Sequence, residues 1–181
     1  MTGTRPGVFE AVSFLLHYPS DCYRERLDQC VSVLTEQEPE AALRIGRFGA
    51  RTEGLPVEAL QELFTQTFDL DPVCSLEVGW QLYGEEYARG NFLVAMRSLL
   101  REHGIEESGE LPDHLVHLLP LLDRLEDPDR SEVIGQYIRP ALAKMLKPFQ
   151  GKKNPYEEVL RAMDLLLENI RQPQPSEVVH G

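Results

Sequence analysis

No stretch of this 181-residue sequence approaches the roughly 18 consecutive apolar residues needed to cross a bilayer, so membrane insertion is not expected. Basic residues are scarce against acids, 18 to 30, for a net charge of −12. A surface of that sign repels phosphate backbones and excludes nucleic acid as the natural partner. It attracts basic peptides instead, although solubility alone is an equally good reason for it. Cysteine is rare. Cys22, Cys30 and Cys74 make an odd set without a C-x-x-C pair. Cys22 and Cys30 lie eight apart on an expected helix, about 12 Å along its axis, beyond the roughly 7 Å Cα limit of a disulfide. Reduced thiols in a reducing compartment follow. Met1-Thr2-Gly3-Thr4-Arg5-Pro6 and the following Gly7–Leu16 stretch, interrupted by Glu10, lack the basic start and cleavage site of a secretory signal. The expected location is the cytoplasm.

Catalytic signatures are missing too. There is no G-x-x-x-x-G-K-S/T, no G-x-G-x-x-G with a βαβ pattern, and no G-x-S-x-G. Glu85-Glu86 and Glu106-Glu107 are adjacent pairs whose members point about 100° apart on a helix, so neither converges on one substrate atom. His114 and His117 share a helix face at i, i+3 and keep one alternative open. That alternative is an all-helical metal- or cofactor-binding enzyme using the two histidines and nearby acids. Without an accompanying E-x-x-H, and with any third ligand far away in the chain, a hydrogen-bonding role at a helix start is the commoner reading. A helical adaptor for some other partner is the remaining alternative.

What is present is helical periodicity. Phe9, Val12 and Leu16 form a first stripe; Tyr23, Leu27, Cys30, Val31 and Leu34 form a second, with Asp21 as its expected cap and Pro39 as its stop. A further helix spans 40–48 and ends at Gly49, and another opens at Leu55-Pro56 with Val57, Leu60, Phe64 and Phe68 inward. Asp69–Cys74 reads as a loop, and Ser75 as the cap of a segment carrying Leu76, Trp80 and Tyr83. The 86–103 stretch should bury Leu93, Met96 and Leu100 before Gly104. Pro112-Asp113 begins a leucine stripe from Leu115 to Leu125, interrupted by Pro120. A penultimate helix runs from Val133 to Phe149 with a kink near Pro140, and Asn154-Pro155 with Glu157 opens the last. No run alternates like a strand. The expected fold is all-α, a single-domain helical bundle of about seven to nine helices over residues 1–171, with 172–181 a frayed tail.

Three segments carry a resemblance: Leu15-Leu16-His17-Tyr18-Pro19; Thr67-Phe68-Asp69-Leu70 and Cys74-Ser75-Leu76 leading to Tyr83-Gly84-Glu85-Glu86-Tyr87-Ala88-Arg89-Gly90; and Glu110-Leu111-Pro112-Asp113-His114-Leu115. In order and spacing, from about residue 9 to 170, the sequence resembles the nitrate reductase assembly chaperones (NarJ type) of the wider TorD/DmsD group of molybdoenzyme maturation factors. The resemblance implies an all-helical protein that is not an enzyme and binds no cofactor stably. It implies that the partner is a molybdoenzyme catalytic subunit, most of all the nitrate reductase alpha subunit. That subunit is grasped through its basic, apolar leader-like N-terminal peptide while bis-molybdopterin guanine dinucleotide is inserted. The sequence departs from the pattern at Glu85, where related chains usually carry Asp, and it shows no further acidic tail after the last helix.

A peptide groove needs apolar walls and a few fixed polar groups. Asp113 and His114 supply such groups at a helix start, Glu110 adds a second acid and Pro112 fixes the entry of the chain, although Asp113 reads equally as a plain cap. Trp80, Tyr83 and Tyr87, spaced three and four apart, form an aromatic face suited either to the core or to an interface. Arg89 is placed to pair with Glu110 or Asp113. The basic run Arg139, Lys144, Lys147, Lys152, Lys153 reads as a solvated face or a second docking surface.

Overall fold

Apolar stripes at helical spacing must be covered by other helices, and the computed structural model, which describes residues 5–170, does this with α-helices throughout. They are α1 (Val8–Ser13, extended by a 3-10 turn Phe14–Leu16), α2 (Tyr23–Gln37), α3 (Pro39–Arg51), α4 (Val57–Phe64, running into a π turn Thr65–Asp69), α5 (Val78–Tyr83), α6 (Ala88–Glu102), α7 (Leu115–Arg124), α8 (Asp129–Val133), α9 (Arg139–Leu146) and α10 (Tyr156–Ile170). The π turn Ile134–Ile138 joins α8 to α9. No β-strand occurs among the described residues, only one isolated antiparallel bridge between Glu77 and His114. The all-α bundle is therefore as expected. The 172–181 tail lies outside the described residues.

α3 packs between α2 and α10, α1 lies on α7 and α2, and α5 rests against α6 and α9. One aromatic cluster locks this arrangement. Tyr156 is fully buried, with ring centroids 5.0 Å from Phe48, 5.8 Å from Phe64 and 4.9 Å from Phe68. A buried phenol needs a partner, and its hydroxyl lies 3.2 Å from that of Tyr23, which donates to the Leu15 carbonyl at 2.9 Å. Burial pushes both phenols above their usual range. The Asn154 side chain accepts from the Tyr156 amide at 2.9 Å and donates to Thr67 at 2.8 Å. The start of α10 is thereby fixed against the π turn.

Several local expectations change. Tyr23, Leu27, Cys30 and Leu34 are buried on α2 as expected, but Val33 is buried as well and Val31 only half-buried; on α6 Phe92 joins Met96 and Leu100 in the core in place of Leu93. Asp21 caps nothing, because α2 starts from Cys22 without a side-chain cap. Pro39 both follows α2 and opens α3, a position where its missing N–H costs nothing, and α3 runs past Gly49 to Arg51. Ser75 lies two residues before the N-cap position of α5, which is Glu77. Glu157 bonds to Arg161 at 2.9 Å and so does not complete a capping box. All three cysteines are free, Cys22 exposed and the others buried.

Candidate functional site

The 69–77 segment and the 108–114 segment face each other across a cleft, and both are held by side chains from the helices that follow them. Trp80 donates through Nε1 to the Pro72 carbonyl at 2.9 Å, and Gln81 reaches the Val73 and Ser75 carbonyls, both at 2.9 Å. Asp71 accepts from the Val73 amide at 3.0 Å. On the other wall, His117 accepts at Nε2 from the Ser108 amide (2.9 Å), while its Nδ1 lies 2.8 Å from the Leu111 carbonyl. A carbonyl can only accept, so the His117 proton sits on Nδ1. The two walls are stitched by Val78 N–H to Asp113 O and Leu115 N–H to Leu76 O, both at 3.0 Å.

Asp113 caps a helix, but not the one it precedes in sequence. It is fully buried, and Oδ2 accepts the Gly79 amide at 2.8 Å, in the first turn of α5. Its Oδ1 is buried without a hydrogen-bond partner among the described residues. Burial raises its pKa, opposed by the Gly79 hydrogen bond. Only glycine fits opposite, since a Cβ at Gly79 would stand 2.5 Å from Asp113 Oδ2 and 2.9 Å from the Phe92 ring. The α7 cap is His114, whose Nδ1 accepts from the Val116 amide at 3.2 Å. That bond puts the proton of the neutral ring on Nε2. Burial, reinforced by the charges of His117 and His17, pushes its pKa down to about 3, so the ring is neutral at physiological pH.

Two adjoining hollows of about 300 and 360 Å³ meet at Asp69, Glu110 and His114. Apolar surface comes from Phe68, Leu76 and Trp80 on one side and from Leu16, Phe64 and Val116 on the other. Glu77 adds a third carboxylate, and no Lys or Arg lines either hollow.

Of the residues singled out from sequence, Glu110, His114 and Trp80 line this cleft. Pro112 and Asp113 are buried beneath it. The expected aromatic face is not formed: α5 ends at Tyr83, Gly84 turns the chain at φ +55°, and Tyr87 is 89% exposed beyond it. Tyr83 packs instead on Phe92, with ring centroids 5.5 Å apart. Arg89 pairs with Glu77 at 2.6 Å, rather than with Glu110 or Asp113, and its guanidinium stands 5.4 Å over the Trp80 ring. In the basic run, Lys144 donates to the Gln81 carbonyl at 2.6 Å and Arg139 pairs with Glu168 at 3.0 Å, so both serve the fold. Asp69, Glu77 and Phe68 were missed as site residues. For Phe68 and Asp69 the signal was an acidic break in periodicity directly after a pair of inward aromatics; Glu77 carried none.

The profile of the nitrate reductase delta subunit family matches residues 27–168. The chain belongs to this family. Its relatives include the nitrate reductase molybdenum cofactor assembly chaperones NarJ of Escherichia coli strain K12 and of Escherichia coli O157:H7. Each is 27% identical over 161 residues, which cover 87% of this chain and 66% of the relative. The chain thus spans just under two thirds of these relatives' length. The three segments that carry the family resemblance converge on the cleft: Leu16, His17 and Tyr18, then Phe68, Asp69, Ser75 and Leu76, then Glu110 and His114.

A metal centre is a poor fit to His114 and His117. His117 has both ring nitrogens engaged, and His114 uses its lone pair as a helix cap. Binding a cation at either ring would break one of these bonds. No group of three or more His, Cys, Asp or Glu able to hold a metal occurs among the described residues.

Proposed function

We propose that this chain is an assembly chaperone for a molybdoenzyme, with a nitrate reductase catalytic subunit as its client, and that it is not an enzyme. Working in the cytoplasm, it grasps the N-terminal peptide of that subunit and keeps it competent for insertion of bis-molybdopterin guanine dinucleotide, without holding the cofactor stably itself. The observation that carries this reading is the chemistry of the cleft: apolar walls, Asp69 and Glu110 without an ion pair among the described residues, Glu77 paired with Arg89, and no Lys or Arg among the lining residues. A leader-like peptide is basic and apolar, so its side chains find burial and charge in one place. His114 Nε2–H is a fixed donor for a peptide carbonyl, held by the cap at Nδ1. Glu110 and Asp69 offer acceptors to Arg or Lys. Trp80 supplies a rigid amphipathic ring.

The test is made in the host. Cells lacking this chain should accumulate a catalytic subunit without its molybdenum cofactor, measured as metal content of the purified subunit. Re-expressing the chain should restore it. A subunit fully loaded in the chain's absence would overturn the proposal.

A further inference from the structure

We infer that a second copy of this chain docks on the outer face of α3, in the groove between α2 and α3, through an antiparallel α3–α3 pairing. This surface is separate from the cleft, and the inference does not depend on the chaperone reading. The groove has a volume of about 560 Å³ and almost wholly apolar walls. The core side of α3 carries Ala41, Ile45 and Phe48. On the opposite side, exposed Pro39, Leu43, Gly46 and Ala50 recur at spacings of four, three and four, the a/d seam of a helix that packs against another helix.

The seam is complementary to itself in only one orientation. Run antiparallel, Leu43 of one copy meets Gly46 of the other, and Pro39 meets Ala50, so that each large side chain faces a small one. A parallel pairing would set leucine on leucine and glycine on glycine, leaving a void. Leu43 is 66% exposed, a large apolar side chain standing in water. Gly46 is its counterpart: a Cβ there would touch nothing within 4 Å. Nothing inside this fold requires a glycine at that exposed helical position, where it weakens the helix. Close approach of a second helix does require it.

Charge selects the same orientation. Glu40 and Arg47 lie seven apart, flank the seam on one side, are both exposed, and form no ion pair among the described residues. Antiparallel pairing brings Glu40 of each copy to Arg47 of the other, twice over by symmetry. The net charge of −12 per copy opposes association at long range, so the dimer is weak, with half-association on the order of 100 µM as for small interfaces.

Sedimentation equilibrium of the full chain at about 0.15 M salt, where the Debye length is about 8 Å, tests this. Between roughly 1 and 500 µM, a span that brackets such an affinity, the mass should rise from 20.6 kDa toward twice that value. Leu43→Glu and Gly46→Leu both alter exposed positions, and circular dichroism verifies their fold. Each should keep the chain monomeric across the range. Arg47→Glu alone should weaken association roughly tenfold, the size of losing two ion pairs and gaining two like-charge contacts. Adding Glu40→Arg to it should restore association. A wild-type chain that stays at 20.6 kDa throughout overturns the inference, as does Leu43→Glu associating like wild type or a charge swap that fails to restore association.

Discussion

The cleft around His114 and the groove between α2 and α3 are concavities of similar scale built by opposite means. The groove is local: two consecutive helices supply it, and its seam can be read off thirteen residues of α3. The cleft is a tertiary product. Segments near residues 16, 69, 76 and 110 meet there, and each is pinned by a hydrogen bond from somewhere else in the chain. The groove is apolar and self-complementary, whereas the cleft is acidic and complementary to something unlike itself. A local site is altered only by changes on its own two helices. An assembled site fails when a distant anchor fails.

The strongest way to break that contrast is at the Gly79–Asp113 junction, which frames the cleft and does not touch the groove. Gly79→Ala forces a methyl against Asp113 and Phe92 and should lower unfolding stability by about 1–3 kcal/mol, the usual cost of overpacking. Asp113→Ala leaves the Gly79 amide buried without its acceptor and should cost about 1–3 kcal/mol. Asp113→Asn keeps an acceptor and removes a charge that burial disfavours, so it should stay within roughly 1 kcal/mol of wild type. Because the folded carboxyl has a raised pKa, its ionisation lowers stability as pH rises through that pKa. Any advantage of Asp113→Asn therefore narrows on acidification. Urea denaturation of the three variants measures all of this. An Asp113→Asn chain as unstable as Asp113→Ala would refute the remote-cap role.

A smaller effect sharpens the same comparison through pH. His114 falls from an ordinary 6.5 to about 3 in the folded chain. Below 6.5 the unfolded chain takes a proton that the folded chain refuses. The stability from the neutral, capping ring is complete above about pH 6.5 and is lost as pH falls toward 3. His114→Asn keeps a good cap without titrating, so its urea midpoint should decline less over that window. Identical declines in the two proteins would show that His114 is not the titrating cap.

These junctions mark where the sequence stopped being informative. The helices were legible because a 3.6-residue period survives any tertiary arrangement, as with Leu60, Phe64 and Phe68. Glu110 and His114 were reachable through the family resemblance and Trp80 through the spacing of the aromatics, and all three line the cleft. Asp113 was legible as a helix cap but not as the cap of α5, because the amide it serves lies 34 residues away in the chain. Tyr87 was misassigned because helical spacing was extended through Gly84, whose positive φ ends α5. Arg89 found Glu77, twelve residues back, on the turn-facing side of a helix that spacing alone does not orient.

Recognition of a basic, apolar peptide by the acidic cleft is measured by titration calorimetry with the N-terminal peptide of the host's nitrate reductase catalytic subunit. Wild type should bind in the micromolar range or tighter, roughly −8 kcal/mol. Reversing two cleft charges, Asp69→Lys with Glu110→Lys, should weaken binding by about tenfold or more without lowering stability, and Tyr87→Ala, exposed and outside the cleft, should leave affinity unchanged. Absence of binding heat and of competition at high peptide concentration, or an affinity indifferent to the double charge reversal but lost with Tyr87→Ala, would contradict the account.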